Sequence, residues 1–300
     1  MRLISSGEGF SSRNLYSILM ARLKFPPAFF VLMICGAGLA LAFFGWTRYA
    51  QPESSVNRVV EDGAVKLEKP DLGKRHFDAA MSFLREGELV SARDRLLYLM
   101  RYFPESETII HAKRVIGEVN LDLLISPIPQ PEKSRYVVSQ GEALVTIARR
   151  SDSTVDYIMR ANGKTTALIY PDEELVVCPL NYRVEICLEG RTLTVFSNDV
   201  FFKEYRIVEI NLPPEVAGPV TATITEKVAR DGDRPVNFTD ATYLGCSKWI
   251  RTGVIGLYIR EEAAARPDSE IAPFGVMVEK SDMQDLFTIL RVGTEVKLVH

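Results

Sequence analysis

The sequence predicts a multidomain α+β protein with a single N-terminal transmembrane helix. Residues 25–47 form a run of 23 residues without a charged side chain. Residues 72–126 carry apolar side chains at helical spacing, and from Arg135 onward short apolar runs alternate with turn residues. We therefore expect, in chain order, a membrane helix, a short α-helical segment, a βααβ module and a mostly-β domain.

The composition argues against several classes of protein. The chain has 36 Lys and Arg residues against 39 Asp and Glu, a formal net charge of −3, and no concentrated basic segment of the kind that nucleic-acid binders usually carry. It contains no H-E-x-x-H motif, no cluster of metal-ligand residues and no Gly-rich phosphate loop. We therefore expect no cofactor, no metal and no nucleic-acid partner.

The uncharged run is long enough to cross a bilayer. As a helix, residues 28–46 would span about 28 Å, which is close to the thickness of the hydrocarbon layer. A cleaved signal peptide has a shorter apolar region. Four basic residues precede the run, and the positive-inside rule then places residues 1–24 in the cytoplasm as a tail. The sequence predicts a single-pass protein of a bacterial inner membrane, with the domains after residue 48 in the periplasm.

A polar linker over residues 48–71 and a helical segment over residues 72–126 are expected next. Three apolar runs at helical period occupy the segment, and Gly87 and Pro104 end the first two. The pairing of short helices resembles a tetratricopeptide-type repeat, although three or more repeats are usually needed for a stable solenoid. The segment is either a spacer packed on its neighbours or a surface for docking a protein.

A Pro-rich linker over residues 127–134 leads into a module with the order strand, helix, helix, strand. The motifs Y-V-V-x-x-G-E-A-L, I-A, A-N-G and I-Y-P-D-E-E-L-V-V lie in this order between residues 136 and 179. Together they resemble a LysM domain, which we place at residues 135–179.

The LysM resemblance implies binding of N-acetylglucosamine-containing glycans such as peptidoglycan, in a shallow groove between two strand–helix loops. Backbone amides would bind the acetamido groups, and apolar side chains would cover the sugar faces. The residues carried over by position are Gly141, Glu142, Ala143 and Leu144 in the first loop and Ile169, Tyr170 and Pro171 in the second. Glu142-Ala143 replaces the usual Asp-Thr pair and removes a hydroxyl. A LysM fold kept only as a spacer is the alternative.

Residues 180–300 are rich in predicted strands. A hairpin is expected from residues 182–188 and 192–196 around Glu189-Gly190, followed by a strand over residues 201–210, and a helix over residues 282–290 precedes a closing strand. The segments L-G-C-S-K-W-I, I-G-L-Y and D-x-x-D-L-F-x-x-x-x-V-G-T-x-V lie in the same order as in an L,D-transpeptidase catalytic domain of the YkuD type, which this region resembles.

The transpeptidase resemblance implies a catalytic cysteine in an S-x-G-C-I-R motif and a histidine in an I-H-G motif, because a thiol needs a base or a cationic partner to become a good nucleophile. Here Val276 stands at the cysteine position, Val278 at the arginine position and Tyr258 at the histidine position. The chain has no histidine between residues 112 and 299. The sequence therefore predicts a degenerate domain that is not an enzyme.

Other candidate residues give weaker evidence of a chemical function. Cys246 lies where the family does not place its nucleophile and is expected to be a buried structural thiol, and sequence leaves open which pair, if any, of Cys178, Cys187 and Cys246 forms a disulfide. Asp231, Asp233 and Asp240 fit a solvated loop better than an acid–base pair.

The sequence thus predicts a membrane-anchored peptidoglycan-binding protein with an inactive L,D-transpeptidase-like domain, acting as a cell-wall binding or scaffolding factor. Expected partners are peptidoglycan glycan strands, the membrane through residues 25–47, and a cell-wall protein through residues 72–126 or 180–300. The alternative is an active L,D-transpeptidase or other cell-wall enzyme that uses non-standard catalytic residues.

Overall fold

The structure is a computed structural model, and its described residues lie between Asp71 and Val299. The predicted tail, the predicted span at residues 25–47 and nearly all of the linker lie outside the described residues. The described ranges are 71–216, 218–232, 234–261 and 274–299.

The membrane element of the predicted fold class is corrected by the structure. Within the described ranges, no helix is both long enough and apolar enough to cross a bilayer. The longest, Ile109–Ile125, has 17 residues and includes Lys113 and Glu118, whereas a span needs about 20 predominantly apolar residues. The prediction of a single-pass inner-membrane protein is therefore not supported. The observed fold is mostly β, with one large sheet and a few helices.

Three helices open the described chain, as the apolar spacing predicts: α1 (Leu72–Arg85), α2 (Leu89–Tyr102) and α3 (Ile109–Ile125). Asp71 caps α1 by accepting a hydrogen bond from the amide of Gly73 at 2.9 Å. Gly87 separates α1 from α2 with a φ of +81°, which favours glycine. The helices share a small core of buried side chains: Ala80, Leu96, Leu99, Ala112 and Ile116. Their tetratricopeptide-like character stays a prediction.

The βααβ order follows: β1 (Ser134–Val137), α4 (Leu144–Arg150), α5 (Val155–Ala161) and β2 (Glu174–Val177). The two strands pair antiparallel, with Tyr136 opposite Leu175. Asn162 ends α5 and fixes it to β2, because its side-chain amide donates to the carbonyls of Ile158 (2.7 Å) and Val176 (2.9 Å) and its oxygen accepts from the Val176 amide (2.7 Å).

Ten strands among the described residues form one mixed sheet in the order β5-β4-β3-β12-β7-β9-β10-β11-β6, with β8 paired to β7. One helix, α6 (Lys280–Ile289), packs on β9 and β10. The strand bounds are β3 Tyr182–Cys187, β4 Thr192–Ser197, β5 Val200–Arg206, β6 Glu209–Asn211, β7 Val220–Asp231, β8 Arg234–Val236, β9 Ser247–Thr252, β10 Tyr258–Glu261, β11 Gly275–Val278 and β12 Glu295–Val299. A short 3-10 helix, Pro214–Val216, follows β6.

The predicted hairpin is present as β3 and β4, with Val184 opposite Val195. The prediction of a single strand over residues 201–210 is wrong, because the first part of this segment pairs with β4 and the last part pairs with β11. β5 pairs with β4, whereas the amide of Val208 already donates to the carbonyl of Met277 on β11, at 2.7 Å. The segment is therefore split into β5 and β6, which lie at opposite ends of the sheet.

The βααβ module and the large sheet share one apolar core. Its buried side chains come from many elements, from Leu121 of α3 to Leu298 of β12. Polar contacts reinforce the junction. The hydroxyl of Thr154 donates to the carbonyl of Thr288 at 2.5 Å, and Arg160 Nη1 lies 2.7 Å from Asp285 Oδ1. The module is therefore held rigidly on α6 and on the sheet beneath it.

Candidate functional site

The two predicted binding loops lie side by side at one end of the β1–β2 pair. Val138, which directly precedes the first loop, donates its amide proton to the Glu173 carbonyl at 2.9 Å and accepts from the Asp172 amide at 2.8 Å. Asp172 and Glu173 directly follow Pro171 and are the last residues of the second loop. The structure therefore brings residues 139–144 and 168–173 together along one edge of the module.

The first loop is built around the carboxylate of Glu142. This carboxylate accepts hydrogen bonds from the Ser139 amide (2.9 Å) and the Tyr136 hydroxyl (2.8 Å), and Arg150 Nη1 lies 2.6 Å away. The Glu142 side chain is only 12 % exposed. The carboxylate is thus engaged within the module, beneath the loop. Leu144 is buried in the core, whereas Gly141 and Ala143 are exposed, as are Ser139 and Gln140 before them.

The bonds to the Ser139 amide and the Tyr136 hydroxyl, together with Arg150, hold the pKa of Glu142 below its ordinary value of 4.5. A lowered carboxyl pKa adds stability that is fully present above the ordinary value and is lost as pH falls through the lowered one. We expect Glu142→Gln to destabilise the protein at about pH 7, and the difference from the natural protein to shrink towards about pH 3. Urea unfolding at several pH values measures this.

The matched control for this experiment is Glu174→Gln. Glu174 also pairs with an arginine, but its side chain is 57 % exposed, so its removal should change stability little at any pH. A Glu142→Gln deficit that stayed constant from about pH 7 to about pH 3 would show that the carboxylate charge has no structural role.

The second loop exposes an apolar surface. Tyr170 is 61 % exposed and Leu168 is 58 % exposed. The loop is fixed from below by Glu173, whose carboxylate accepts from the Tyr170 amide at 3.0 Å and lies 2.5 Å from Lys164 Nζ. Ile169 is half-buried against the core, and Pro171 is exposed. Leu168 comes directly before the residues carried over from the family pattern, and the motifs of the sequence do not single it out.

The positions that would carry catalysis lie on neighbouring parallel strands. Tyr258 begins β10, and Ile259 lies opposite Val276 of β11. Val276 and Val278 are fully buried in the apolar core, whereas Tyr258 is half-buried. A valine side chain has no group that can attack a carbonyl or transfer a proton.

Cys246, which directly precedes β9, is expected from the sequence to be a buried structural thiol. It is buried, and its thiol donates to the Tyr243 carbonyl at 2.9 Å. Burial raises the pKa of the Cys246 thiol, which keeps it protonated and poorly nucleophilic. Cys178 is likewise a buried free thiol, so neither of these two cysteines belongs to a disulfide.

The remaining polar candidates do not assemble into a reactive site. The Asp240 carboxylate accepts from the Asn237 amide at 2.9 Å, and Asp231 is exposed at the end of β7; Asp233 lies outside the described residues. Across the described ranges no group of three or more His, Cys, Asp or Glu side chains is placed to hold a metal ion.

Comparisons with family models bear on the βααβ module. Residues 136–177 match the family model of the LysM domain, so the chain contains a LysM domain. No curated protein matches the sequence significantly.

Several solved structures of L,D-transpeptidases are similar to this chain. The enzyme from Stackebrandtia nassauensis is 16% identical, with a TM-score of 0.30, over 40% of this chain and 56% of that one. L,D-transpeptidase 1 from Mycobacterium tuberculosis is 14% identical, with a TM-score of 0.29, over 43% and 68%. A mutant of the Enterococcus faecium enzyme is 17% identical, with a TM-score of 0.28, over 45% and 54%. The match thus spans between about half and two thirds of the length of these structures.

Proposed function

We propose that this protein is a non-enzymatic peptidoglycan-binding factor of the bacterial cell wall. Its LysM domain binds glycan strands, and its L,D-transpeptidase-like sheet serves as a scaffold that binds a stem peptide or a partner protein. The observation that carries the proposal is the pair of adjacent loops, in which the exposed residues Gly141 and Ala143 lie in one loop and the exposed residues Leu168 and Tyr170 lie in the other. Amide groups beside an apolar surface suit an acetamido sugar.

The absence of catalysis is supported by the side chains at the family's reactive positions. Val276 and Val278 are fully buried and chemically inert. Cys246, which directly precedes β9, has a thiol pKa raised by burial. Both histidines of the described residues, His76 and His111, lie in α1 and α3 rather than in the sheet. Fold similarity alone does not supply an activity.

The rigid junction between the LysM domain and the sheet supports a scaffolding role. Because Arg160 and Thr154 fix α5 to α6, a glycan in the groove would hold the sheet at a fixed orientation to the wall. The helical segment is a further candidate surface for a protein partner, since Tyr98 and Tyr102 are exposed there with ring centroids 4.6 Å apart.

The proposal is tested by incubating the full chain with purified sacculi and analysing both protein and wall. We expect the protein to sediment with the sacculi and the muropeptide profile to remain unchanged by mass spectrometry. New crosslinked or hydrolysed muropeptides that disappear in Cys246→Ala would establish the alternative, an active cell-wall enzyme. Failure of the protein to sediment would overturn glycan binding.

A further inference from the structure

A cluster of charged side chains is buried where the LysM domain meets the sheet. Asp156, in the first turn of α5, accepts hydrogen bonds from the Tyr243 hydroxyl at 2.9 and 3.0 Å. The ammonium groups of Lys227 (β7) and Lys248 (β9) each lie 3.8 Å from its carboxylate. Neither the spacing nor the motifs of the sequence point to this cluster, because its members are separated by long stretches of chain.

Both lysines are incompletely satisfied. Lys248 is fully buried, its ammonium has no hydrogen-bond partner among the described residues, and it lies 3.3 Å from the centroid of the Tyr243 ring. The Lys227 ammonium donates to the Phe287 carbonyl and lies 4.2 Å from the Phe287 ring centroid. An ammonium has three donors, so Lys227 retains hydrogen-bonding capacity that Asp156, at 3.8 Å, does not fully use.

A cavity of about 480 Å³ opens beside this cluster. Its volume lies in the range of small-molecule sites. Lys227, Asp156 and Tyr243 contribute polar groups to its wall. Most of the remaining wall is apolar and includes Val155, Val236, Phe238 and Phe287. Its lining includes neither the LysM loops nor Tyr258, Val276 or Val278.

The charges around the cavity favour an anion. Its lining includes the cations Arg149, Lys227 and Arg291 and the carboxylates Asp152 and Asp156. Asp152 is engaged by Arg291 at 2.5 Å. Behind the wall, Lys248 adds a further ammonium, and the carboxylate of Glu261 on β10 accepts from the Ser247 hydroxyl. A ligand with a single negative charge would accept the remaining hydrogen bonds of the Lys227 ammonium. It would also balance the net positive charge of the lining.

We propose that this cavity binds a small organic carboxylate with an apolar body, with the carboxylate on the Lys227 ammonium and the apolar body against Phe287 and Phe238. The cavity is separate from the LysM groove, so ligand binding in it can be tested independently of glycan binding. Burial lowers the pKa of Lys227 to about 8, although Asp156 counteracts the shift. The ammonium is thus charged at neutral pH, and affinity for an anion should decrease as pH rises above that value.

Titration of the full chain with phenylacetate, phenylacetamide and inorganic phosphate tests the proposal by calorimetry. We expect phenylacetate to bind at least tenfold more tightly than the uncharged amide, and phosphate, which lacks an apolar body, not to bind. N-acetylphenylalanine and its amide form a second pair of probes, which distinguishes a peptide carboxyl terminus from a free small acid. Equal affinity for acid and amide, or no binding of any acid, would overturn the proposal.

Variants identify the residue responsible. Lys227→Met should weaken phenylacetate binding at least tenfold, Lys227→Arg should restore part of it, and Lys297→Met, a change at an exposed lysine of β12, should have no effect. In the natural protein, binding should weaken between about pH 7 and about pH 9. Unchanged affinity in Lys227→Met, or an affinity independent of pH, would contradict the assignment. Tyr170→Ala, in the LysM groove, should leave phenylacetate binding intact.

Discussion

Replacing Asp285 by alanine should lower the free energy of unfolding by about 3 kcal/mol. Lys203 Nζ lies 3.0 Å from Asp285 Oδ2, and its side chain is only 7 % exposed. Arg160 of the LysM domain contacts the other oxygen of the same carboxylate at 2.7 Å. Without Asp285, the one ion-pair partner left to Lys203 among the described residues is Glu118, whose side chain is 63 % exposed. A buried ammonium is then left poorly compensated.

Equilibrium unfolding of the full chain in urea measures this loss. Asp94→Ala is the matched control, because Asp94 is also a helical aspartate beside an arginine, but its side chain is 66 % exposed. Its removal should cost less than about 1 kcal/mol. Equal stability of the two variants would mean that the Asp285 carboxylate does not stabilise the packing of β5 and α5 on α6.

Tyr170→Ala should weaken binding to peptidoglycan about tenfold, equivalent to about 1.4 kcal/mol. The ring is the largest exposed apolar side chain of the second loop, and it is 61 % exposed. An aromatic ring that covers a sugar face loses that contact when it is truncated, whereas the loop keeps its shape through the bond from the Tyr170 amide to Glu173.

Sedimentation of increasing amounts of protein with a fixed amount of purified sacculi gives the affinity. The control is Tyr102→Ala, which removes a tyrosine of similar exposure, 56 %, from α2. We expect this control to bind as the natural protein does. If both tyrosine variants lost affinity equally, or if neither did, the LysM groove would not be the glycan site.

The elements with local signals were predictable from the sequence. Helical spacing located α1 to α3, and the motifs of residues 136–179 placed both the LysM order and the two loops. Burial of Cys246 was also expected. These features depend on short-range periodicity and on turn residues, which a single sequence displays directly.

The features that the sequence did not reveal depend on distant residues. The partners of Lys203 and of Asp156 lie far away in the chain, so no spacing marks them. Glu142 was assigned to glycan contact because of its position, whereas its carboxylate is engaged by Tyr136 and Arg150. The membrane prediction depended on hydropathy in residues 25–47 and on the basic residues before them, and every helix of the described residues is too short or too polar to span a bilayer.

Hydrogen–deuterium exchange of the full chain, with and without soluble peptidoglycan glycan strands, tests the central claim most directly. Binding in the LysM groove predicts slower amide exchange in residues 139–144 and 168–173, with little change in β10 and β11. Unchanged exchange in both loops, or protection confined to the strands that carry Tyr258 and Val276, would contradict it.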